Sequence, residues 1–233
     1  GAGIAGIASA IRQAVKGHEV AVYEANAYPG GKLTAIQGNG YRFDAGPSLF
    51  TLPEQVEELF LIAGKNPADH FEYDRLEVVC HYFWEDGKTV KAWADPERFA
   101  TEVASQLGVS ERGIKEVLKR SAFIYAHLSP LFMHRSLHKL STWIGPQAMK
   151  AYMNLGKLGL FSTMNAFNKR ILKDPKLVQL FNRYATYNGS DPYQTPATLT
   201  IIPHLEFNLG AYFPKQGMHD ISMSLYKLAL SLG

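Results

Sequence analysis

The sequence predicts an α/β protein that opens with a dinucleotide-binding unit and continues into a mostly helical region. Three observations predict this class. A glycine turn with the spacing G-x-G-x-x-G opens the chain, a helix pattern and a strand pattern ending in an acid follow it, and helical patterns fill the middle of the 233-residue sequence. We therefore expect a nucleotide site close to the amino end.

The opening loop carries Gly1, Gly3 and Gly6 at the positions of that motif. The first glycine permits the tight turn, the second lets a pyrophosphate approach the backbone, and the third lets helix and strand touch. The run IASAIRQAV after it is small and apolar, which predicts a helix that ends at Gly17 and His18.

The next run, EVAVYE, predicts a short buried strand that finishes at Glu24. An acid about 20 residues after the glycines is the residue that receives ribose hydroxyls in dinucleotide sites. Because an anion there would repel a 2′-phosphate, FAD or NAD fits better than NADP.

A second glycine pair, Gly30-Gly31, follows directly and is flanked by Lys32. Two adjacent glycines can form a concavity of backbone amides, and the lysine adds a cation for phosphate. Taken alone, the same residues are equally compatible with an ordinary turn before a strand.

Further along, LTAIQGNGYRFDAG and RLEVVCHYFWEDGKTVKAWAD each predict a β-hairpin, since Asn-Gly and Asp-Gly stand between strand-forming runs. PEQVEELFLIAG predicts a helix that begins with proline and ends at glycine. Helical patterns then extend from Asp95 to about Lys176, with an aspartate cap and a proline at the start.

The composition limits the class of protein and its setting. Cys80 is the only cysteine, so no disulfide within the chain and no Cys₄ metal site can form, and a reducing, cytoplasmic setting is expected. No apolar run is long enough for a transmembrane helix, and the first residues lack a signal-peptide pattern.

Charge is distributed unevenly along the chain. The block 119–176 holds ten Lys or Arg and one acid, a net charge of +9, so the remainder carries +3 − 9 = −6. This basic block has three interpretations: solvated helix faces, a nucleic-acid surface, or a surface that lies on anionic lipid. Because no nucleic-acid reader motif accompanies the charge, no nucleic-acid partner is expected.

Four other side chains were weighed for chemistry. His134 and His138 would share a helix face and could hold a metal, but acids are nearly absent around them, so no metal site is expected. Asp44 could act chemically or could fix the turn into Gly46. Cys80, in an apolar run, is interpreted as a small buried filler.

Several stretches together resemble one family of flavoproteins. The opening GAGIAG…VYEANAYPGGK is similar to the FAD-binding start of the flavin amine oxidase and carotenoid desaturase superfamily. GYRFDAGPSLFTLP and FNRYATYNGSDPYQTPATLTIIPHLEFNLGAYFPKQGM resemble the bacterial and fungal phytoene desaturase group. The resemblance covers nearly the whole chain but does not select one substrate.

The resemblance implies a Rossmann-type FAD-binding domain with an inserted α+β substrate domain. The FAD domain would comprise residues 1–70 and 214–233, and the substrate domain, which would also face the membrane, residues 71–213. Gly46, Pro47 and Ser48 are implied to lie near the cofactor. Since the glycine loop normally follows a strand and the family has a further flavin-contacting tail, the fold is expected to be incomplete at both ends.

The implied activity is FAD-dependent desaturation of a phytoene-like C30–C40 polyene, with a hydride leaving for the flavin and a quinone or oxygen reoxidising it. The basic block 119–176 would then rest on an anionic membrane that holds the substrate. Alternatives are a desaturase, isomerase or oxygenase of a later carotenoid, a flavin amine oxidase, or a non-catalytic prenyl-binding protein such as the Rab escort and GDP-dissociation inhibitor proteins.

Two features depart from, or go beyond, the motifs that carry the resemblance. Gln216 stands where the family more often has a second glycine, and it would fit if its φ is negative. No catalytic base can be named, since Tyr187, Tyr193 and Glu206 each have a plain structural interpretation.

Overall fold

The computed structural model describes residues 1–233, which fold as two compact units. The first unit comprises Gly1–Leu76 and Gly210–Gly233, and the second comprises Glu77–Leu209. The boundaries of the second unit differ from those of the substrate domain expected from the sequence, residues 71–213. The reason is that strand pairing joins residues 73–75 to residues 212–214 within the first unit. The assignment of cofactor and substrate to the two units stays a prediction.

The first unit holds three helices and two small antiparallel sheets. The helices are α1 (Ile4–Ala14), α2 (Glu54–Ile62) and α10 (His219–Leu230). The strands are β1 (Thr34–Gly38) paired with β2 (Tyr41–Ala45), and β3 (Tyr73–Arg75) paired with β6 (Tyr212–Pro214). The β1–β2 turn is Asn39-Gly40 with positive φ at both residues, which confirms the first predicted hairpin.

The core of the first unit forms where its three helices pack together. Ile7 and Ile11 of α1, Phe60 of α2 and Leu225 of α10 are buried in one cluster. α1 ends at Ala14 and Gly17 takes a φ of 85°, so the predicted helix end is confirmed.

The predicted strand EVAVYE does not form. Residues 18–24 form no helix or strand, and Val22 and Tyr23 are exposed. Their alternating apolar pattern fits a strand, but a strand requires a ladder partner and none lies beside this segment. The expectation of a buried strand ending at Glu24 was therefore wrong for this structure.

The second unit is largely helical and carries one hairpin. Its helices are α3 (Pro96–Leu107), α4 (Glu111–Phe132), α5 (Leu140–Trp143), α6 (Pro146–Met153), α7 (Met164–Leu172), α8 (Pro175–Asn182) and α9 (Ile202–His204). The hairpin pairs β4 (Val78–Phe83) with β5 (Thr89–Trp93), as predicted. A 3₁₀ helix over Arg183–Asn188 and a π-helical turn over Leu205–Leu209 complete the unit.

Local signals explain the helix ends in the second unit. The Asp95 carboxylate accepts a hydrogen bond of 2.7 Å from the Arg98 backbone N–H, and Pro96 follows it at the first helical position of α3. Gly108 ends α3 with a φ of 70°. The unit encloses two buried apolar clusters, one between the hairpin, α3, α4, α7 and α8, the other between α4 and α6. No helix in the protein is both long enough and apolar enough to cross a bilayer.

Candidate cofactor site

The glycine loop leads into α1 without a side-chain cap on the helix. Gly3 is the N-cap in an extended conformation. The first turn of a helix has N–H groups without intrahelical partners, and these groups together with the helix dipole favour an anion. The loop therefore has the donor set that a pyrophosphate requires.

Space around the glycines differs in a way that suits a cofactor. A Cβ added to Gly3 would meet nothing within 4 Å, whereas a Cβ on Gly6 would lie 2.0 Å from the Gly1 carbonyl oxygen. Gly6 is therefore required for the tight packing of the loop, while Gly3 leaves an open approach to the backbone. This open approach is the space that a bound pyrophosphate fills in a dinucleotide site.

Glu24 lies against this loop. Its Oε2 accepts a hydrogen bond of 2.6 Å from the Ala2 N–H, and its Oε1 accepts hydrogen bonds from the backbone N–H and the side-chain amide of Asn26. The bonds from the backbone N–H groups of Asn26 and Ala2 lower the pKa of Glu24. A carboxylate has about four acceptor positions, so capacity for ribose hydroxyls remains.

The second glycine pair packs on the first loop. The Gly30 N–H donates to the Ala2 carbonyl at 2.7 Å, and Gly3 and Gly30 form a parallel β-bridge. Gly31 has a φ of 60°, and a Cβ on it would lie 3.3 Å from the Gly3 Cα. The structure therefore brings both glycine motifs and Glu24 together.

The remaining predicted residues lie at the edge of this arrangement. Lys32 is exposed and makes no ion pair. A Cβ added to Gly46 would lie 1.9 Å from the carbonyl oxygen of Lys32. Pro47 and Ser48 are exposed in the irregular segment after β2. Their predicted contacts with a cofactor stay predictions.

An apolar groove of about 330 Å³ runs beside Glu24. Its walls include Ala2, Ile7 and Ala10 on one side and Val20 and Val22 on the other, with part of α10. The groove adjoins the glycine loop, and the polar residues in its lining are Glu24, Asn26, Tyr28 and Tyr226.

Sequence reasoning missed the contribution of α10. The Asp44 carboxylate accepts hydrogen bonds from the backbone N–H groups of Met218 at 3.0 Å and His219 at 3.4 Å, so it caps this helix. Burial raises the pKa of the Asp44 carboxyl. The hydrogen bonds from the two N–H groups and from Arg42 lower this pKa by more, so it lies below its ordinary value. Asp44 therefore caps α10, a structural role other than the predicted one of fixing the turn into Gly46.

Two side chains of α10 also hold the segment around the second glycine pair. The buried Ser222 hydroxyl donates to the Leu33 carbonyl at 3.1 Å, and His219 Nε2 lies 3.2 Å from the Pro29 carbonyl oxygen. No sequence pattern links these residues, because they are about 190 positions apart. Gln216 is not among the residues with positive φ, while Gly217 next to it has a φ of 88°.

A second polar cluster lies in the other unit. Glu206 is fully buried in the π-helical turn and accepts hydrogen bonds from the hydroxyls of Tyr184, at 3.0 Å, and Tyr187. The Arg183 guanidinium lies 3.4 Å from both carboxylate oxygens and donates to the Tyr82 hydroxyl at 2.9 Å. Tyr193, the third polar residue considered, is exposed and not part of this cluster.

His134 and His138 do not share a helix face. Both lie in the turns between α4 and α5, so the spacing argument for a common metal does not apply. No group of three or more His, Cys, Asp or Glu side chains is arranged to hold a metal ion.

Comparison with known proteins adds the family. Residues 4–232 match the family described as flavin containing amine oxidoreductase. The chain is 47% identical over its whole length to a 1-hydroxycarotenoid 3,4-desaturase of Flavobacterium sp. (strain P99-3), of which it covers 47%. It is 31% identical over its whole length to a 4,4′-diapolycopene oxygenase of Methylomonas sp, of which it covers 46%. The chain thus spans about half the length of these curated relatives.

The fold is also similar to that of solved flavoproteins. A triple mutant of putrescine oxidase superposes with a TM-score of 0.56 at 16% identity, covering the whole of this chain and 48% of the oxidase. A sequence identity this low is evidence of a shared fold only. The predicted class, a mixed α/β protein with a Rossmann-type cofactor domain, is confirmed at that level.

Proposed function

Because the chain belongs to the flavin-containing amine oxidoreductase family, we propose that this protein is an FAD-dependent carotenoid desaturase acting on a hydroxylated acyclic polyene. The observation that carries the proposal is the 47% identity to a 1-hydroxycarotenoid 3,4-desaturase across the whole chain. Membership of the family confirms the prediction of FAD as cofactor.

The cradle in the first unit fits that cofactor. The backbone amides at the start of α1, which no side chain caps, and the open backbone at Gly3 would bind the pyrophosphate. Glu24 would accept the ribose hydroxyls, and Lys32, which has no ion-pair partner, would add a cation beside phosphate.

FAD, when bound, supplies the acceptor for the hydrogens that leave an unactivated C–C bond. The protein's share is to hold the cofactor and to keep the polyene in an apolar environment. A C30–C40 chain length and a quinone or oxygen as final electron acceptor belong to the proposal, because they follow from the resemblance alone.

A second candidate is oxygenation of the end of a carotenoid. The 31% identity to a diapolycopene oxygenase favours it over amine oxidation, because both of the reported relatives act on carotenoids by name. Desaturation and oxygenation give different products from the same class of substrate, so product analysis separates them.

Peripheral membrane association through the basic block 119–176 is also part of the proposal. Of its ten Lys and Arg residues, only Lys176 forms an ion pair, with Asp86. Unpaired cations on one segment are attracted to anionic headgroups.

The test is expression of the protein in two bacterial hosts, one accumulating phytoene and the other accumulating 1-hydroxylated acyclic carotenoids. Pigments are separated and identified by absorption spectrum and mass, with Gly3→Val as the inactive control. We expect loss of a pair of hydrogen atoms and a red-shifted spectrum in the second host. Gain of oxygen would support the oxygenase instead, conversion in the phytoene host alone would assign an earlier desaturation step, and unchanged pigments in both hosts would contradict the proposal.

A further inference from the structure

Exposed apolar side chains concentrate in one segment of the second unit, residues 132–161. Of the 25 large hydrophobic residues that are exposed in the protein, eleven lie in this segment. Four of them are among the most exposed: Leu140 (74%), Ile144 (71%), Met153 (79%) and Phe161 (83%). Large apolar patches on a soluble protein mark interaction surfaces.

The core of this segment is ordered by its own contacts. The Trp143 indole N–H donates to the Leu137 carbonyl at 2.9 Å, and the Tyr152 hydroxyl donates to the Trp143 carbonyl at 2.9 Å. The Phe132 ring packs edge-on against Trp143, with 6.2 Å between ring centres. Phe132, Leu137 and Tyr152 are thus gathered around one tryptophan.

Helix α6 carries apolar side chains on its outer side as well as its inner side. Ala148 and Ala151 are buried against α4, while Met149, Tyr152 and Met153 are exposed beside a single cation, Lys150. A surface helix normally turns mainly polar residues outward. The outer side of α6 is therefore suited to an apolar environment.

The charges around this surface identify what covers it. The segment contains no acid and four Lys or Arg residues, a net charge of +4. None of the four, Arg135, Lys139, Lys150 and Lys157, forms an ion pair. A second copy of the chain that paired through the same face would bring these like charges together, whereas a bilayer offers hydrocarbon to the apolar side chains and anionic headgroups to the cations.

We infer that segment 132–161 inserts its apolar side chains into the interfacial layer of a lipid bilayer, with its four cations at the level of the headgroups. The inference rests on the membrane association proposed above and names its inserting part. It differs from charge-driven docking of the whole block 119–176 in one respect: apolar insertion predicts binding to neutral lipid as well. Binding to vesicles does not depend on the carotenoid reaction.

The experiment measures co-sedimentation of the purified protein with vesicles of phosphatidylcholine alone and of phosphatidylcholine mixed with phosphatidylglycerol. The test variant is Leu140→Asp/Ile144→Asp/Met153→Asp, and the matched control is Leu61→Asp/Phe83→Asp, which changes exposed apolar residues elsewhere. We expect the wild type and the control to bind both vesicles and the test variant to lose at least about tenfold in partition coefficient on both.

A second variant, Arg135→Glu/Lys139→Glu/Lys150→Glu/Lys157→Glu, should lose only the extra binding to anionic vesicles. Brominated lipids should quench Trp143, and the quenching should be lost in Trp143→Phe. Circular dichroism and flavin content, which the exposed substitutions should leave unchanged, show that each variant is folded.

Three results would overturn the inference: wild-type binding to anionic vesicles alone, unchanged binding of the test variant, or a wild-type dimer in light scattering that the test variant abolishes. Each of these could occur with carotenoid conversion intact, so failure here is distinct from failure of the proposed activity.

Discussion

The carboxylate of Glu24 accepts a hydrogen bond of 2.6 Å from the backbone N–H of Ala2, which lies 22 residues earlier in the chain. This bond ties the acid to the glycine loop before any ligand is bound. Glu24 thus shapes the loop, and its carboxylate retains acceptor capacity for the ribose hydroxyls that it is predicted to bind.

Glu24→Ala should weaken flavin binding on the order of tenfold, because the loop loses its tether and the ribose its acceptor. The dissociation constant can be measured by fluorescence titration of apoprotein with FAD. Glu19→Ala, an exposed acid in the same extended segment, is the control. Equal affinity of the two variants would contradict the assignment.

The pH dependence of this tether has a defined sign. Hydrogen bonds from Asn26 and Ala2 lower the pKa of Glu24 in the folded protein, so its stabilisation is present above the unfolded pKa of about 4.3 and is lost as pH falls through the lower folded value. Flavin retention after desalting should therefore decline at acidic pH in the wild type. Glu24→Gln should bind more weakly at neutral pH and show a smaller decline.

Gly3→Ala and Gly6→Ala should separate binding from folding. An alanine at Gly3 meets no neighbouring atom, and its φ of −71° suits any residue, so stability should change by less than about 0.5 kcal/mol while flavin content falls. An alanine at Gly6 would lie 2.0 Å from the Gly1 carbonyl oxygen and should lower the melting temperature as well. Scanning calorimetry and the flavin absorbance ratio give both readouts, and a stability loss in Gly3→Ala would count against the open approach described above.

Asp44→Ala should destabilise the protein by about 1 kcal/mol, the usual contribution of a helix cap. Because hydrogen bonds hold its pKa low in the folded state, the contribution should disappear as pH falls through that value. Urea unfolding at neutral and acidic pH measures both effects, with Asp69→Ala as an exposed control. If Asp44 were catalytic instead, activity would vanish with stability unchanged.

Arg183→Met should cost about 3 kcal/mol of unfolding free energy, because it leaves the buried Glu206 carboxylate without its cation. Replacing both residues, in Arg183→Met/Glu206→Leu, should cost less than the single change, since no buried charge is then unpaired. Urea unfolding of Arg183→Met, Glu206→Leu and the double variant provides the comparison. A double variant as unstable as the sum of the single ones would mean that the pair is not coupled.

Three tyrosines of the same cluster should resist ionisation in alkali. Burial raises the pKa of Tyr82, Tyr184 and Tyr187, and the nearby Glu206 carboxylate raises it further. A raised folded pKa means that their contribution to stability is full below the unfolded value of about 10 and is lost as pH rises above it. Ultraviolet difference titration should show fewer phenolates at pH 11 in the native protein than in urea, and equal counts would contradict the cluster.

Elements with short-range signals were predictable from the sequence, and elements that depend on distant partners were not. Asp95, Pro96 and Gly108 mark the two ends of α3, which has 12 residues, and Asn39-Gly40 specifies a hairpin turn on its own. EVAVYE has the sequence pattern of a strand, but a strand also requires backbone hydrogen bonds to a neighbouring strand, and this segment has none.

In the candidate site too, the residues of a local motif were predictable and the contacts between distant residues were not. The glycines and Glu24 could be named because they belong to one local motif with known spacing. The capping of α10 by Asp44 joins residues 174 positions apart, and the Glu206 cluster collects side chains from β4, the 3₁₀ helix and the π turn. Such contacts are set by tertiary packing, which single-sequence patterns do not encode.

The β-bridge between Gly3 and Gly30 closes a loop of fewer than thirty residues. Short loops cost little chain entropy to close, and contacts between near neighbours in sequence form early in folding. The contacts of α10 with the same region join residues about 190 positions apart and can form only after α10 has been synthesised. On the ribosome, the two glycine motifs can therefore assemble before the helix that holds them in place exists.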